Sequence, residues 1–288
     1  MAQAIGVIVP NFNYARYLGE RIGTIAAQTR TPAALAFLDD ASTDNSWSLA
    51  PGLLASLACE VSVRRSPSRV GRVLRQWRTG LAQLDTPLIW IAEADDRAAP
   101  GFLAALAERL EADPAAQFAF CDSAPIDADG VRLAEDSKPY YAATGETALA
   151  QDAQFTTEDF LRRCLCPRNL VLNASAVLWR APALLGALDR IGADADHWHC
   201  AADWLAYAEA CAVPGTIHYV ATPLNEHRRH ATSVTGATPP AQHYAEIVMM
   251  LLRLRDRLGA DAARDAAMRR HLAELRRAWS LVPHAAAA

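Results

Sequence analysis

Two pairs of aspartates, Asp39-Asp40 and Asp95-Asp96, are the residues whose type and spacing are best suited to chemistry. Asp39-Asp40 directly follows the apolar run at 35–38, and Asp95-Asp96 follows the apolar run at 87–91 with Glu93 between them. Carboxylates are ligands that Mg²⁺ and Mn²⁺ prefer, and such an ion can neutralise the charge of a nucleotide diphosphate as it leaves. A structural role is the alternative for both pairs, because acids also favour helix N-termini and the sequence around Asp40 suits a turn.

A local basic patch contains Arg64, Arg65, Arg69 and Arg72. Arginine side chains bind phosphate through charge-assisted hydrogen bonds. One of these arginines is therefore a candidate phosphate ligand, and a solvated charged face is the alternative.

The segment His197-Trp-His-Cys200 places potential zinc ligands close to Asp203. Structural zinc sites usually pair two ligand clusters, and this segment has no second cluster to pair with. Contact with a substrate or simple packing is therefore favoured over zinc. Cys164 and Cys166 lack the spacing of a redox motif, so we expect them to pack in the core.

Strands and helices alternate up to about residue 110, and these elements must position the acids. Apolar runs predict strands at 5–9, 35–38 and 87–91, and alternation predicts a strand at 60–64. Helical patterns occupy about 18–29, 47–57, 71–84 and the segment opened by Pro100. This alternation predicts an α/β fold with a largely parallel sheet and helices on both faces. Such sheets bind ligands at the carboxyl ends of their strands, where both aspartate pairs fall.

The pattern is less regular after residue 115. The sequence predicts a strand at 117–121, a turn at 127–130, a polar loop over a site at 134–156, a helix capped by Thr156 that ends at Cys164, a helix at about 201–211 and a strand at 216–221. Amphipathic patterns at about 243–258 and 262–280, separated by Gly259, predict a C-terminal α-hairpin. The tail from residue 283 is expected to fray.

Composition narrows the function classes. The 288 residues are 52% hydrophobic and 21% charged with a net charge of -4, which predicts a packed core and argues against disorder and against nucleic-acid binding. No long uncharged apolar run or basic leader is apparent, so we expect neither a transmembrane helix nor a secretory signal. The six cysteines are then expected to be reduced thiols in a cytoplasmic protein.

Six segments together resemble the family-2 glycosyltransferases of the GT-A fold. They are Ile-Val-Pro-Asn-Phe-Asn-Tyr-Ala-Arg-Tyr-Leu at 8–18, Ala-Gln-Thr at 27–29, Leu-Asp-Asp-Ala-Ser-Thr-Asp at 38–44, Trp-Ile-Ala-Glu-Ala-Asp-Asp at 90–96, Ala-Asp-Trp at 202–204, and Leu-Asn-Glu-His-Arg-Arg-His at 224–230 followed by Thr-Ser-Val-Thr. The match covers about residues 4 to 238 in the family's order. The resemblance implies a GT-A-like sheet that is mixed but mostly parallel. It also implies transfer of a sugar, with inversion, from a nucleotide diphosphate sugar to an acceptor hydroxyl.

The resemblance also implies roles on the donor side. Pro10, Phe12 and Asp40 are expected to line the nucleobase pocket, with Phe12 against the base and Asp40 accepting a base N–H. Asp95 is expected to contact ribose. Arg72 is the member of the basic patch assigned to the nucleotide.

On the metal and acceptor side, the resemblance implies that Asp96 and His230 hold Mg²⁺ or Mn²⁺, with Arg228 beside the diphosphate. Asp203 is expected to be the catalytic base, because an inverting transfer needs one carboxylate to take the proton of the acceptor hydroxyl. Its alternative role is a helix cap. Trp204 is the candidate for stacking on a sugar.

Two positions depart from the family's pattern. Ala41 stands where a glycine usually follows the first acid pair, which is a small change in volume. His227 stands where an aromatic residue frequently precedes the closing arginine. This second change affects the expected acceptor side.

We expect a glycosyltransferase domain over residues 1–238, with a donor half at about 1–115 and an acceptor half at about 116–238, and a helical extension over 239–288. The resemblance suggests cell-surface polysaccharide or glycan assembly, with a glycan or lipid-linked acceptor. The extension has three alternatives: packing on the domain, forming a homodimer, or peripheral contact with the inner face of the membrane.

Two rival functions stay open. A nucleotidyltransferase that makes sugar nucleotides is disfavoured, because residues 10–20 lack its glycine-rich phosphate loop. The other rival is a domain that binds sugar nucleotide without turnover.

Overall fold

The computed structural model describes residues 2–281, which form nine strands and eleven helices. The strands are β1 (Ile5–Asn11), β2 (Ala34–Asp39), β3 (Glu60–Arg65), β4 (Leu88–Ile91), β5 (Arg97–Ala98), β6 (Ala116–Ile126), β7 (Ala153–Thr156), β8 (Val177–Arg180) and β9 (Thr216–Arg228). The helices are α1 (Ala15–Ala26), α2 (Ser46–Leu54), α3 (Val73–Leu81), α4 (Phe102–Ala112), α5 (Lys138–Ala143), α6 (Thr157–Arg163), α7 (Ala181–Ile191), α8 (Ala202–Ala210), α9 (Val234–Ala237), α10 (Pro240–Leu258) and α11 (Ala262–Ala278).

All nine strands belong to one sheet, in the order β3-β2-β1-β4-β8-β6-β9-β5, with β7 paired to β9. β3, β2, β1 and β4 are mutually parallel, as the sequence predicted. β8 is antiparallel to both of its neighbours, β4 and β6, and β6 and β9 run parallel to each other. The sheet is therefore mixed, and it brings the carboxyl ends of β1, β2 and β4 to one edge.

Helices cover both faces of the sheet, which explains why every residue of β1 is buried. Leu18 of α1 and Leu106 of α4 pack with the side chains of one face, and Trp77 of α3 and Leu205 of α8 pack with those of the other. Trp77 thus lies in the core, as expected from its spacing.

The C-terminal helices α10 and α11 pack on this second face. Met250 and Leu254 of α10 and Met268 of α11 lie in the same apolar cluster as α8. Gly259, at a φ of 75°, separates the two helices where the sequence predicted the break. No helix within residues 2–281 is both long and apolar enough to cross a membrane. The tail expected to fray, 283–288, lies outside the described residues.

Some elements differ in their bounds from the prediction, and others were not predicted. α4 begins at Phe102, so Pro100 precedes the helix instead of occupying its first turn. The polar stretch 134–156 contains α5 and β7, and β8 and α7 were not predicted. β9 continues to Arg228 instead of ending at 221, because its polar second half pairs with β6 and β5. Those polar residues form one wall of the site.

Candidate functional site

Asp39, the last residue of β2, links the carboxyl ends of β1 and β2 through hydrogen bonds. Its carboxylate accepts hydrogen bonds from Asn11 Nδ2 at 2.9 Å and from the backbone N–H of Ser42 at 3.0 Å. Arg65 Nε lies 3.2 Å away on the β3 side. Asp39 is 1% exposed, so it organises the edge without facing a ligand.

Asp40 holds the loop between β3 and α3. One carboxylate oxygen accepts the backbone N–H of Val70 at 2.8 Å, and the other accepts that of Gly71 at 2.7 Å. Both carboxylate oxygens therefore already accept hydrogen bonds from the protein. The family resemblance had implied that Asp40 accepts a base N–H. This loop carries Arg69 and Arg72.

Phe12, directly after β1, faces the same loop. The guanidinium carbon of Arg69 lies 4.0 Å from the centre of the Phe12 ring. Pro10 is a buried residue of β1 paired with Leu38, and an Arg72 guanidinium nitrogen donates to the carbonyl of Gly71. Arg69, and not Arg72, is thus the arginine stacked on the proposed nucleobase residue.

Behind this loop lies a cavity of about 220 Å³, lined by Asp39, Arg64, Val70 and Arg75 among others. Arg64 of the basic patch is exposed and borders this partly open cavity beside the strand ends.

Asp95 and His230 form a largely buried pair in the loop after β4, and the Asp95 side chain, at 12% exposure, is more exposed than that of Asp96 at 4%. His230 Nε2 lies 3.0 Å from Asp95 Oδ2, and His230 Nδ1 lies 2.9 Å from Thr232 Oγ1. The rings of Tyr14 and Tyr17 enclose the imidazole at centroid distances of 5.7 and 5.0 Å. Burial and the Asp95 carboxylate raise the pKa of Tyr14, so its hydroxyl stays protonated.

Asp96 is the more buried of the two adjacent acids. Its oxygens accept the backbone N–H of Arg228 at 2.8 Å and Asn173 Nδ2 at 3.0 Å. Burial and Asp95 raise the pKa of Asp96 to about 7, partly offset by Arg21. The sequence assigned Asp96 to the metal and Asp95 to ribose, and this geometry favours Asp95 as the carboxylate presented beside His230. Residue type alone could not show which of two adjacent acids is the more exposed.

Arg21 lies beneath the acidic loop, and the sequence analysis missed it. It is 0% exposed, donates to the carbonyl of Glu93 at 2.8 Å and to Ser175 Oγ at 3.1 Å, and stacks on Trp90. Burial lowers the pKa of Arg21, an effect opposed by the neighbouring acids. The available signal was an arginine on the apolar face of a predicted helix.

Glu93, two residues before Asp95, is the other acid of this loop. Burial and the charges of Asp95 and Asp96 raise the pKa of Glu93 to about 8. The Trp77 indole N–H lies 3.4 Å from its Oε1. Burial and the neighbouring acids thus favour the protonated form of Glu93.

Arg228 clamps the loop instead of projecting toward a ligand. It is 2% exposed, its Nε donates to the carbonyl of Asp95 at 2.6 Å, and its guanidinium also pairs with Glu20. This placement of Arg228 does not favour the expected contact with a diphosphate. At His227, burial lowers the pKa to about 4, so the ring is neutral where the family often has an aromatic residue.

Asp203 lies in the first turn of α8. Its Oδ1 accepts the backbone N–H of Trp204 at 2.7 Å. Within residues 2–281 it forms no ion pair, and burial raises the pKa of Asp203 to about 7. The charges of Asp203 and Glu93 both raise the pKa of Tyr207, so this phenol lies within the electrostatic reach of both acids.

Trp204 belongs to the core. Its side chain is 4% exposed and its indole N–H donates to the carbonyl of Leu165 at 3.0 Å. The expectation that Trp204 stacks on a sugar is therefore not supported by its placement, because the face of α8 that carries it is buried.

Among the described residues, no three His, Cys, Asp or Glu side chains are grouped as a metal site would group them. His197, His199 and Cys200 are thus not gathered into a zinc site. A metal at Asp95 and His230 would need ligands from elsewhere, such as water or a phosphate.

Comparison with known proteins identifies the family and the fold. A family model described as Glycosyl transferase family 2 matches residues 6–162. An uncharacterized glycosyltransferase of Nostoc sp. is 50% identical over 42 residues, which cover 15% of this chain and only 13% of that protein.

Two solved structures are similar in fold. S. aureus TarS 1-349 in complex with UDP-GlcNAc has a TM-score of 0.70 and 15% identity, covering 98% of this chain and 76% of that one. The mannosyltransferase PcManGT from Pyrobaculum calidifontis, in complex with GDP-Man and Mn²⁺, has a TM-score of 0.56 and 16% identity, covering 99% and 77%. Since the family model spans more than half of the sequence, the chain belongs to glycosyl transferase family 2, and its fold is the GT-A fold.

Proposed function

We propose that this protein transfers a sugar from a nucleotide diphosphate sugar to an acceptor hydroxyl with inversion at the anomeric carbon. The observation that carries the proposal is the carboxylate and imidazole pair of Asp95 and His230, together with a buried carboxylate, Asp203, that has no ion-pair partner within residues 2–281. The first pair suits a divalent cation and the second group suits a base. Membership of the family supports this reading.

The residues present fit a divalent metal. Asp95 Oδ2 and His230 Nε2 lie 3.0 Å apart. Adjacent ligands in an octahedron of Mg²⁺ with bonds of about 2.1 Å are separated by about 3 Å. Two protein ligands leave the other positions for water and diphosphate oxygens, which is the way Mg²⁺ is usually held in sites that bind phosphates. When bound, Mg²⁺ or Mn²⁺ would neutralise the charge that develops on the leaving diphosphate.

Asp203 supplies the base in this mechanism. The acceptor oxygen attacks the anomeric carbon from the face opposite the leaving group, and the bond from that carbon to the diphosphate oxygen breaks. The acceptor's proton passes to the Asp203 carboxylate. A single displacement of this kind inverts the anomeric configuration.

We assign the donor's nucleoside to the part of the sheet edge next to β1 and β2. Phe12, with Arg69 stacked on it, provides an aromatic face for a base, and Asp40 holds the loop that carries Arg69. The similar structures were solved with UDP-GlcNAc and with GDP-Man, so uridine and guanosine donors are the first to test.

A role in cell-surface polysaccharide or glycan assembly, with a glycan or lipid-linked acceptor, is part of the proposal and rests on family resemblance. A cytoplasmic location, with peripheral contact at the inner membrane face as its variant, is also part of the proposal and is supported by the six free cysteines, which are typical of a reducing compartment.

A thermal-shift panel tests the donor. Purified protein is heated with UDP, GDP and dTDP sugars, with Mg²⁺, Mn²⁺ or EDTA. A true donor at one hundred times its Kd stabilises the protein by about 2.7 kcal/mol, and EDTA should abolish the shift. Donors that stabilise are then incubated with candidate acceptors, and proton NMR reads the anomeric configuration of the product. Retained configuration would refute the single displacement, and stabilisation without turnover would favour the binding-only rival.

A further inference from the structure

Glu246 of α10 is a buried carboxylate that reaches the segment before α8. A single oxygen, Oε2, accepts three consecutive backbone N–H groups, those of His199 at 2.9 Å, Cys200 at 2.8 Å and Ala201 at 3.0 Å. The residue is 4% exposed. Among residues 2–281, no arginine, lysine or histidine forms an ion pair with it. The carboxylate is therefore committed to these N–H groups.

The three N–H groups belong to the residues from which α8 starts. The N-cap residue, Ala201, has no side chain that can accept a hydrogen bond. The N–H groups at and before a helix N-terminus need acceptors, and a carboxylate is also favoured there by the helix dipole. Glu246 supplies from a distant element the acceptor that the local sequence lacks.

α10 holds Glu246 rigidly in this position. Ile247, Met250 and Leu251 of the same helix are buried in the apolar cluster that contains α8. The carboxylate is thus fixed on one side by core packing and on the other by three hydrogen bonds. Asp203 follows two residues after the last of these donors.

We propose that Glu246 is a positioning residue for Asp203: by fixing segment 199–201, it sets the start of α8 and the direction in which the Asp203 carboxylate points. The catalytic meaning of this inference rests on the proposed function, in which Asp203 is the base. The C-terminal helices are then a working part of the acceptor side and not an appendage.

The test measures the ionisation of Asp203 directly, without substrate. Protein labelled with ¹³C at aspartate carboxyl carbons is titrated by NMR, and Asp203→Asn identifies the Asp203 signal. The groups that interact with Asp203 are Tyr207 of its own helix and Cys200 of the preceding segment, and the groups that interact with Glu246 are Cys200 and His243. Tyr207 and Cys200 ionise well above the range in which Asp203 titrates, so they do not obscure its curve.

Glu246→Ala leaves three N–H groups without their acceptor and admits water to the start of α8. We expect the pKa of Asp203 to fall by about one to two units toward the ordinary aspartate value, since burial is what raises it. Glu246→Gln keeps a carbonyl oxygen that accepts the three N–H groups, so it should retain the wild-type pKa of Asp203. The Kd of UDP with Mn²⁺, read by calorimetry, should stay within about twofold in both variants, because the donor site is formed by other elements.

Glu146→Ala is the matched control. Glu146 is also a buried carboxylate, but it pairs with Arg163 and accepts the N–H of Ala148. The control should leave the pKa of Asp203 unchanged. An unchanged pKa in folded Glu246→Ala would overturn the proposal, and so would a fall in Glu246→Gln equal to that in Glu246→Ala.

Should Glu246→Ala not fold, Glu246→Asp takes its place. This carboxylate is one methylene too short, so the pKa of Asp203 should fall, and a wild-type value would overturn the proposal. These outcomes are independent of the proposed function, because turnover that survives in Asp203→Asn would refute the base assignment and leave the NMR titration unaffected.

Discussion

A cation beside a carboxylate lowers its pKa and so makes it a weaker base. Asp39 is paired with Arg65, and Asp96, whose oxygens accept the backbone N–H of Arg228 and the Asn173 amide, has Arg21 beside it. Asp203 is buried and forms no ion pair within residues 2–281, and burial raises its pKa to about 7. A general base works best when its pKa lies near the working pH. At the residue scale, Asp203 is the acid best adapted to that role.

Asp203→Asn should reduce the transfer rate by about 10² to 10⁴-fold, the usual contribution of a positioned base. The Kd of UDP with Mn²⁺ should stay within about twofold, because asparagine has the same shape and the donor site is formed by other elements. Stopped transfer assays and calorimetry give the two readouts. Asp129→Asn, at an exposed acid paired with Arg16, is the control. Near-wild-type turnover in Asp203→Asn would exclude it as the base.

The transfer rate should depend on pH through the same group. A base must be deprotonated to accept a proton, and the pKa of Asp203 is raised to about 7 by burial. The rate should therefore rise as pH increases from about 6 to about 8 and then level off. Initial rates at saturating donor, in buffers of constant ionic strength, check this. A rate that is flat between pH 5 and 8 would contradict the assignment.

Asp95 and Asp96 should differ sharply when each is changed. Asp95→Asn should weaken the metal-dependent binding of UDP by about tenfold or more, with little loss of stability, because it removes the carboxylate beside His230. Asp96→Ala should lower the free energy of unfolding by at least about 2 kcal/mol, because the Arg228 N–H and Asn173 amide lose their acceptor. Calorimetry and urea unfolding distinguish the two. The opposite pattern would restore Asp96 as the metal ligand.

Residue type and spacing were enough to find the acids at positions 40, 95, 96 and 203, but not to orient them. Which of Asp95 and Asp96 is the more exposed depends on Arg228, more than one hundred residues away. Arg21 and Asn173 belong to no sequence motif, so their roles become apparent only from their contacts in the structure.

At the scale of elements, the turn after β2 holds a non-glycine residue in a left-handed conformation. Ala41, directly after Asp40, has a φ of 58°. A residue with a side chain incurs roughly 1–2 kcal/mol of steric energy in this conformation, whereas glycine incurs none. Part of glycine's advantage is lost because glycine also has more conformational freedom in the unfolded chain. Alanine in place of the family's usual glycine at this position therefore changes the conformational energy of the backbone as well as the side-chain volume.

Ala41→Gly should raise the free energy of unfolding by about 0.5–1 kcal/mol, since glycine adopts this φ without steric cost. The melting temperature should rise by about 2 °C. Calorimetric scans measure both, with Ala50→Gly inside α2 as a control that should destabilise. Lower stability in Ala41→Gly would mean that the Ala41 methyl makes compensating contacts.

β1, β2 and β4 were predictable because parallel strands covered on both faces have continuous apolar sequences, and β3 was predictable from its alternation. β8 and the second half of β9 were not predicted. β8 falls outside the regular alternation of strands and helices, and the second half of β9 is polar where it borders the site. Elements with functional side chains on them resemble loops in sequence.

At the scale of the whole molecule, the raised pKa of Asp203 has a cost in stability. The ordinary pKa of aspartate is about 3.9, so the folded state binds a proton at Asp203 more tightly than the unfolded state does. This contribution to stability is complete below pH 4 and is lost as pH rises to about 7.

Asp203→Asn removes that dependence. The variant should be more stable than the wild type at pH 8, where the wild type carries a buried charge, and the difference should shrink at pH 5. Urea midpoints at the two pH values provide the measurement. An equal difference at both would show that the carboxylate does not titrate between them.

β8 joins the two ends of the sheet, since it pairs with β4 on one side and β6 on the other. The strands on either side of β8 are thus hydrogen-bonded into a single sheet. Under the proposed function, we expect any movement that admits a donor or releases a product to be confined to the loops above the strand ends. Cutting the chain between the expected halves would expose an unpaired strand edge instead of freeing two working parts.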